Sequence, residues 1–372
     1  MIGDSASNCE EKRSKSITEF LDNVRNVAAP MVSVSELPWR MMLREKYNVH
    51  LCFTPMLNAE NLAKAKAKNI NKMLTTCPED RPLVIQLNGN DEEQILKASK
   101  RVEHLCDAID INLGCPQNIA KKGFYGAFLA DDWQIVSKII KHLKDNLKIA
   151  VSVKIRIYDT LEKTLAYVKV IEDSGADFIT VHGRTRDQKS MGMANWNIIS
   201  AIRKALKIPV IANGNIQIYE DVEKCMAETG VKHVMSADGL QYNPGLFSNT
   251  ELNVFDAAKT VIYYYEKYDF VSLKSCRNAI FKIIYNFIVI KPQLALLVQK
   301  AKSTQELRDA VEFIEGKVND FLKNSAEKIP EQLFTQNNQP IWICQTRYRS
   351  QGKDEKIICN RKDIIKVLSL IY

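Results

Sequence analysis

Eight apolar, β-rich runs recur along residues 25–236, with helical periodicity between them. They lie near 25–31, 51–55, 83–88, 108–113, 149–156, 177–182, 208–212 and 231–236. The intervening helices are plainest at Asp91–Cys106, Trp133–Leu147 and Thr160–Ser174. In the last of these, Leu161, Leu165, Val168 and Ile171 keep one face apolar. Several runs are apolar on both faces, the pattern of strands covered by helices on a parallel sheet. Eight repeats within about 225 residues predict a closed (β/α)8 TIM barrel, a fold of roughly 250 residues. The rival is an open doubly wound sheet. It is weakened because no G-x-G-x-x-G follows the first run.

Beyond Asn249 the pattern turns helical, at Ala257–Tyr268, Leu273–Ile290 and Thr304–Lys323. The expected organisation is a polar N-terminal segment (1–22), a barrel (23–250), a small α-helical domain (251–330) and a basic C-terminal tail (331–372). The tail opens on Gln336-Asn337-Asn338-Gln339-Pro340 and carries Arg347, Arg349, Lys353, Lys356, Arg361 and Lys362.

Composition serves mainly to exclude. With 46% hydrophobic and 26% charged residues, the chain is ordinarily globular. No apolar run approaches the roughly 20 residues that span a bilayer. The longest, Ala279–Ile290, is interrupted by Lys282 and Asn286, so no membrane role is expected. Met1–Ser16 is polar with mixed charge and reads as neither a secretory nor a transit peptide. Nine cysteines without a C-x-x-C pair fit free thiols in a reducing compartment. The expected location is therefore intracellular, cytoplasmic or nuclear, with no metal. Cys344 and Cys359 fall in the polar tail with no histidine nearby. A monomer is expected. The net charge is +8, and residues 251–372 hold 19 Lys and Arg against 14 Asp and Glu. That excess suits a polyanionic partner or a plain solvated surface.

A barrel holds its active site at the C-terminal ends of its strands. Those ends carry Pro30-Met31, Gln86 and Asn88, Asn112 and Cys115, Lys154 and Arg156, His182-Gly183-Arg184, Asn213-Gly214-Asn215, and Ser236-Ala237-Asp238-Gly239. The run ending at Leu113 stops in Gly114-Cys115-Pro116, which puts a cysteine at a rim. Alone, Cys115 could be a small turn residue, Lys154 an edge charge and His182 a hydrogen-bonded core histidine. Together they fall at one end of neighbouring strands, which points to a shared site. The turns at Asn213-Gly214-Asn215 and Asp238-Gly239 expose backbone N–H groups where barrels commonly bind phosphate, although Asn-Gly is also ordinary turn chemistry. A phosphate site with a strand-borne lysine, a glutamine and a histidine suits flavin mononucleotide. Lys154 would face the N1/C2 side of the ring, and Gln86 its amide edge. A thiol across the site, largely protonated at neutral pH, could donate a proton.

Residues of about 25–250 resemble the tRNA-dihydrouridine synthases. The motifs are Ala29-Pro30-Met31, Gln86-Leu87, Asp110-Ile111-Asn112-Leu113-Gly114-Cys115-Pro116, Lys121-Lys122-Gly123, Val153-Lys154-Ile155-Arg156, Thr180-Val181-His182-Gly183-Arg184-Thr185-Arg186 and Ile211-Ala212-Asn213-Gly214-Asn215. Finer features resemble the eukaryotic branch acting on positions 16 and 17 of the tRNA D-loop, among them Cys52–Leu57, Tyr125–Leu129 and Val234–Gly239. Three features depart from the pattern. The stretch Gln188–Trp196 is compact, Asp238 stands where the branch has Glu and many relatives have Arg, and the tail 331–372 matches poorly apart from Trp342-Ile343-Cys344.

The resemblance implies an FMN-dependent enzyme that reduces uridine in tRNA with NADPH or NADH. Hydride would reach C6 from the reduced flavin, and Cys115 would protonate C5 as general acid. Pro30, Met31 and Val32 would line the flavin. Gln86, Lys154 and His182 would contact its ring and side chain. Asn213, Gly214, Asn215, Ala237 and Asp238 would hold the phosphate end, and Asn112 and Arg184 would lie near the uracil. The helical domain and the basic surface would contact tRNA phosphates. Competing readings are a flavin barrel acting on a free pyrimidine and a tRNA-binding relative without catalysis.

Overall fold

A computed structural model describes residues 18–268, 272–290, 292–324 and 339–345. Nine strands follow in order: β1 (Asn26–Ala28), β2 (Leu51–Phe53), β3 (Leu57–Asn58), β4 (Leu83–Asn88), β5 (Ala108–Leu113), β6 (Ala150–Arg156), β7 (Phe178–His182), β8 (Val210–Asn213) and β9 (His233–Ser236). The sheet order is β2-β1-β9-β8-β7-β6-β5-β4-β3, every pairing is parallel, and a further β2–β4 pairing closes the ring. β3 is a two-residue extension paired with β4, so eight strands make the barrel. The expected (β/α)8 architecture, followed by C-terminal helices, is the one observed.

The two faces of the strands explain the closure. Leu83, Ile85 and Leu87 on β4, Ile109, Ile111 and Leu113 on β5, and Val151, Val153 and Ile155 on β6 are one alternating set. All are buried, as strand faces beneath helices must be. The opposite set faces the barrel interior and changes character along the axis. At the N-terminal end Val27, Phe53, Val84, Ala108, Ala150, Phe178, Ile211 and Met235 form one apolar cluster, with Leu21 and Val24 packed into it from ahead of β1. Two residues further along β4, β5 and β6 come Gln86, Asp110 and Ser152, and beyond those Asn88, Asn112 and Lys154.

The helices outside the barrel start where side-chain caps satisfy their free N–H groups. Asp91 caps Glu92–Val102 through Gln94 N, and Asp132 caps Trp133–Asn146 through Ile135 N. Thr160 caps Leu161–Asp173, and Asn195 caps Trp196–Ala205. Each such cap is worth about 1 kcal/mol.

The chain divides into two compact units. The first holds the strands. The second comprises Glu36–Asn48, Gln217–Tyr219 and the described residues from Asp238 onward. Helix Leu37–Lys46 lies between β1 and β2 in sequence but groups with the second unit. There Tyr264 donates its hydroxyl to Glu45 at 2.5 Å, and Lys267 pairs with the same carboxylate. The expected single helix Leu273–Ile290 is two, Leu273–Ile283 and Tyr285–Ile290, broken at Ile284. A further helix, Pro292–Lys300, had no clear sequence signal. Cys344 was expected in a polar tail. Instead Ile341, Ile343 and Cys344 are buried, with Cys344 N donating to Leu252 O and Val254 N to Trp342 O. The apolar pair Ile341 and Ile343 accounts for this, because it gives the stretch a face to bury.

Residues 1–17, and the basic residues Arg347 to Lys362 with Cys359, lie outside the described residues. Among the described residues no helix is long and apolar enough to cross a membrane.

Candidate active site

Cys115 sits half-buried just past the end of β5. Its turn is held from several directions. Asn112 Oδ1 accepts from the N–H groups of Gly114 (3.1 Å) and Cys115 (2.9 Å). This is an Asx-type turn that fixes the chain as it leaves the strand. Arg156, on the neighbouring β6, donates from Nε to Gly114 O at 2.7 Å and from its NH1 nitrogen to Thr185 O and Lys189 O. Ala127 N donates to Cys115 O at 3.0 Å. Gly126 beside it has a φ of 64°, and a Cβ there would lie 2.8 Å from Cys115 O. Only glycine admits both the angle and the approach.

Below the turn lies a buried polar layer. Gln86 donates from Nε2 to Asp110 Oδ2 at 2.8 Å and accepts at Oε1 from Asn112 Nδ2 at 2.9 Å. Ser152 donates its hydroxyl to the other Asp110 oxygen at 2.7 Å. Burial pushes the Asp110 carboxyl up to about 6, against the opposing pull of Gln86, Ser152 and Lys154. Lys154 donates to Asn213 Oδ1 at 3.0 Å. Burial, together with the Arg156 charge, brings its ammonium down to about 8, with Asp110 pulling the other way. Arg156 is also lowered by burial, to about 10, and stays cationic at neutral pH.

The ends of β7 and β8 form a third group. His182 Nε2 lies 3.0 Å from a terminal nitrogen of Arg184. Arg184 also bonds Gly192 O from Nε at 2.9 Å and Asn215 Oδ1 at 2.6 Å. Asn213 anchors its amide on Met235 O at 3.0 Å. Gly214 has a φ of 112°, and a Cβ there would lie 2.7 Å from that of Ala194 and 3.0 Å from the His182 ring. Ala194 and the His182 ring therefore pack directly on its backbone, where any side chain would collide.

The structure thus joins Gln86, Asn112 and Cys115 directly, Lys154 with Asn213, and His182 with Arg184 and Asn215. Arg184, expected near the uracil, is buried, and its guanidinium ties His182 and Asn215 to the loop at Gly192. At the end of β1, Ser35 Oγ accepts from Met31 N and donates to Ala29 O, both at 2.9 Å. That fixes the turn containing Pro30, buried Met31 and exposed Val32. Ala237 follows β9, and Asp238 opens the helix Asp238–Tyr242 of the second unit. Asp110, Ser152 and Gly126 were not expected as site residues. A parity signal was available for the first two, since Asp110 lies two residues before Asn112 and Ser152 two before Lys154. Nothing local marks Gly126.

Residues 27–334 match the family described as Dihydrouridine synthase (Dus), and the chain belongs to that family. It is 38% identical over 339 residues to the mouse (Mus musculus) protein named tRNA-dihydrouridine(16/17) synthase [NAD(P)(+)]-like, covering 88% of this chain and 69% of that one. It is also 38% identical over 356 residues to the Saccharomyces cerevisiae tRNA-dihydrouridine(16/17) synthase [NAD(P)(+)], covering 87% and 83%. The Homo sapiens tRNA-dihydrouridine(20a/20b) synthase [NAD(P)+]-like protein is 36% identical over 247 residues, covering 65% and 77%.

Proposed function

We propose that this chain reduces uridine to 5,6-dihydrouridine in tRNA, at positions 16 and 17 of the D-loop, with NADPH or NADH as reductant and FMN as the resident cofactor. The observation that carries the reading is a single cysteine, Cys115, clamped at the rim of a barrel mouth whose floor is lined by amides and cations. The donor set fits a flavin phosphate. Lys154 is a half-buried cation hydrogen-bonded to a neutral amide, and the Gly214 backbone lies directly against the His182 ring at the same strand ends. Gln86, Lys154 and His182 would meet the ring and side chain. Asn213, Gly214, Asn215 and Ala237 would hold the phosphate end, with Asp238 next in the chain. Pro30, Met31 and Val32 would contact the ring through backbone.

When bound, FMN would supply the two-electron chemistry, a hydride equivalent drawn from the nicotinamide cofactor for C6 of the uracil. The remaining work falls to side chains. Cys115 Sγ–H gives its proton to C5, so two hydrogens are added and a thiolate remains, which recovers a proton from solvent at its half-exposed position. Lys154 sets a positive charge in the mouth, and Asn112 keeps the Cys115 turn in place. The target uridine must unstack to enter, at a cost of a few kcal/mol. Recognition then rests on RNA shape and phosphates, with the basic excess of residues 251–372 contacting the backbone. tRNA as substrate implies an intracellular setting.

The test is mass spectrometry of D-loop fragments from unmodified tRNA incubated with the protein, FMN and NADPH, with Cys115→Ala alongside. The expected result is a gain of two hydrogens on a D-loop uridine, reduced about 10²- to 10⁴-fold in rate in the variant. Turnover of free uridine or dihydroorotate without RNA would favour a free-pyrimidine enzyme. Purification without flavin and without turnover would favour a non-catalytic binder.

A further inference from the structure

We propose that Asp110 is a positioning residue for proton transfer, acting through Gln86 and Asn112 on the turn that carries Cys115. The inference rests on the reading of Cys115 as proton donor.

The polarity of the chain of contacts carries the argument. An ionised carboxylate only accepts hydrogen bonds, whereas a side-chain amide has one donating and one accepting end. Asp110 takes Gln86 Nε2–H at 2.8 Å, so Gln86 must turn its oxygen the other way. That oxygen takes Asn112 Nδ2–H at 2.9 Å, so Asn112 in turn presents Oδ1 to the backbone. Oδ1 then takes the N–H groups of Gly114 and Cys115. An acceptor-only group stands at one end and two donor-only groups at the other. Both amides between them have one orientation that satisfies every link. Reversing either would set donor against donor. Bonds aligned head to tail in this way also polarise one another.

Asp110 is fixed in turn. Ser152 bonds its second oxygen at 2.7 Å, and the residue is buried in the barrel interior on β5 between β4 and β6. The path therefore crosses two strands and ends on the loop of the acid. Asp110 itself touches neither Cys115 nor its turn through any of these bonds, so its influence on the thiol is indirect.

The test reads Cys115 without using catalysis. Alkylation of Cys115 by iodoacetamide is followed by peptide mass mapping on the full-length protein, for wild type, Asp110→Asn, Asn112→Ala and the double variant. Asp110→Asn removes the charge from the oxygen that anchors the path, and in one of its two amide orientations also sets a donor against Gln86. It is expected to raise the alkylation rate roughly three- to tenfold, the scale of one ordinary hydrogen bond. Asn112→Ala should do the same, and the double variant should go no further than Asn112→Ala. Thr180→Val is the control, because it alters a buried hydroxyl of the barrel strands that has no partner among the described residues. It should leave the rate within about twofold. If Asp110→Asn does not accumulate as folded protein, Gln86→Leu cuts the same path one link later and must raise the rate likewise. A wild-type rate in Gln86→Leu, or single effects that multiply in the double variant, overturns the proposal. Loss of tRNA reduction in Cys115→Ala is scored separately, so failure here leaves the assigned reaction untouched.

Discussion

On β7, Phe178 and His182 lie on the same side of one strand, four positions apart, under opposite physical demands. Phe178 is fully buried in the apolar cluster at the N-terminal end of the barrel. His182 is half-buried and bonded to Arg184 at the other end. The same contrast runs along β4 from Val84 to Asn88, β5 from Ala108 to Asn112 and β6 from Ala150 to Lys154. One end of each strand gains stability by removing apolar surface from water. The other end places polar groups where burial penalises them, and each is held by specific hydrogen bonds. The lesson is that one alternating pattern serves both purposes, and the transition between them takes a single residue pair.

The largest effect should come from breaking the apolar end. Phe178→Ala is expected to cost about 3–5 kcal/mol, read from urea unfolding, because the cluster cannot close over the missing ring. The flavin content and turnover of the surviving folded fraction should stay close to wild type. Equal damage to both would mean that the two ends are not separable.

The polar end should show a smaller change of opposite sign. Lys154→Met removes an ammonium whose folded pKa, about 8, lies below the ordinary 10.5. Between those values the unfolded chain binds more protons than the folded one, so Lys154 makes stability rise with pH across pH 8 to 10.5. Below about pH 8 the full penalty of the buried charge is present. The variant should therefore unfold about 2 kcal/mol later than wild type at pH 7, allowing for partial solvent screening. That gain should vanish by pH 10.5, while flavin binding and turnover fall sharply. Parallel pH–stability curves for the two proteins would refute it.

Gly126→Ala should cost about 1–2 kcal/mol for the left-handed backbone angle alone, with the contact on the Cys115 backbone adding to it. Its new methyl meets Cys115 O, so dihydrouridine formation should drop by more than thermal melting suggests. Equal losses would indicate that Gly126 serves the fold alone.

The division between what sequence discloses and what it hides follows the same geometry. Strand positions were legible because β-branched runs such as Val151–Ile157 have few other uses in a soluble chain, and their spacing dictated the barrel. Lys154 and His182 were legible because a charge or imidazole inside an apolar run stands out. Asp110 was in view but its role was not. Its partners Gln86 and Ser152 lie on other strands, and only the register brings them within 2.8 Å. Arg184 was legible as a cation at a strand end, but its bonds to His182 and Asn215 were not, because those partners come from the neighbouring ends of β7 and β8. The destination of helix Leu37–Lys46 was equally hidden, because local periodicity records that a face is buried and not what buries it.

The β2–β4 pairing that closes the ring also bears on how copies of this protein can meet. In an open sheet the outermost strand offers a row of unused N–H and C=O groups, which another chain can extend by adding a strand. Here each of the eight barrel strands is flanked on both sides, and the two-residue β3 is too short to template a ladder. Self-association or capture of a partner by the barrel therefore cannot proceed by adding a strand to the ring, and falls to its helix faces and loops.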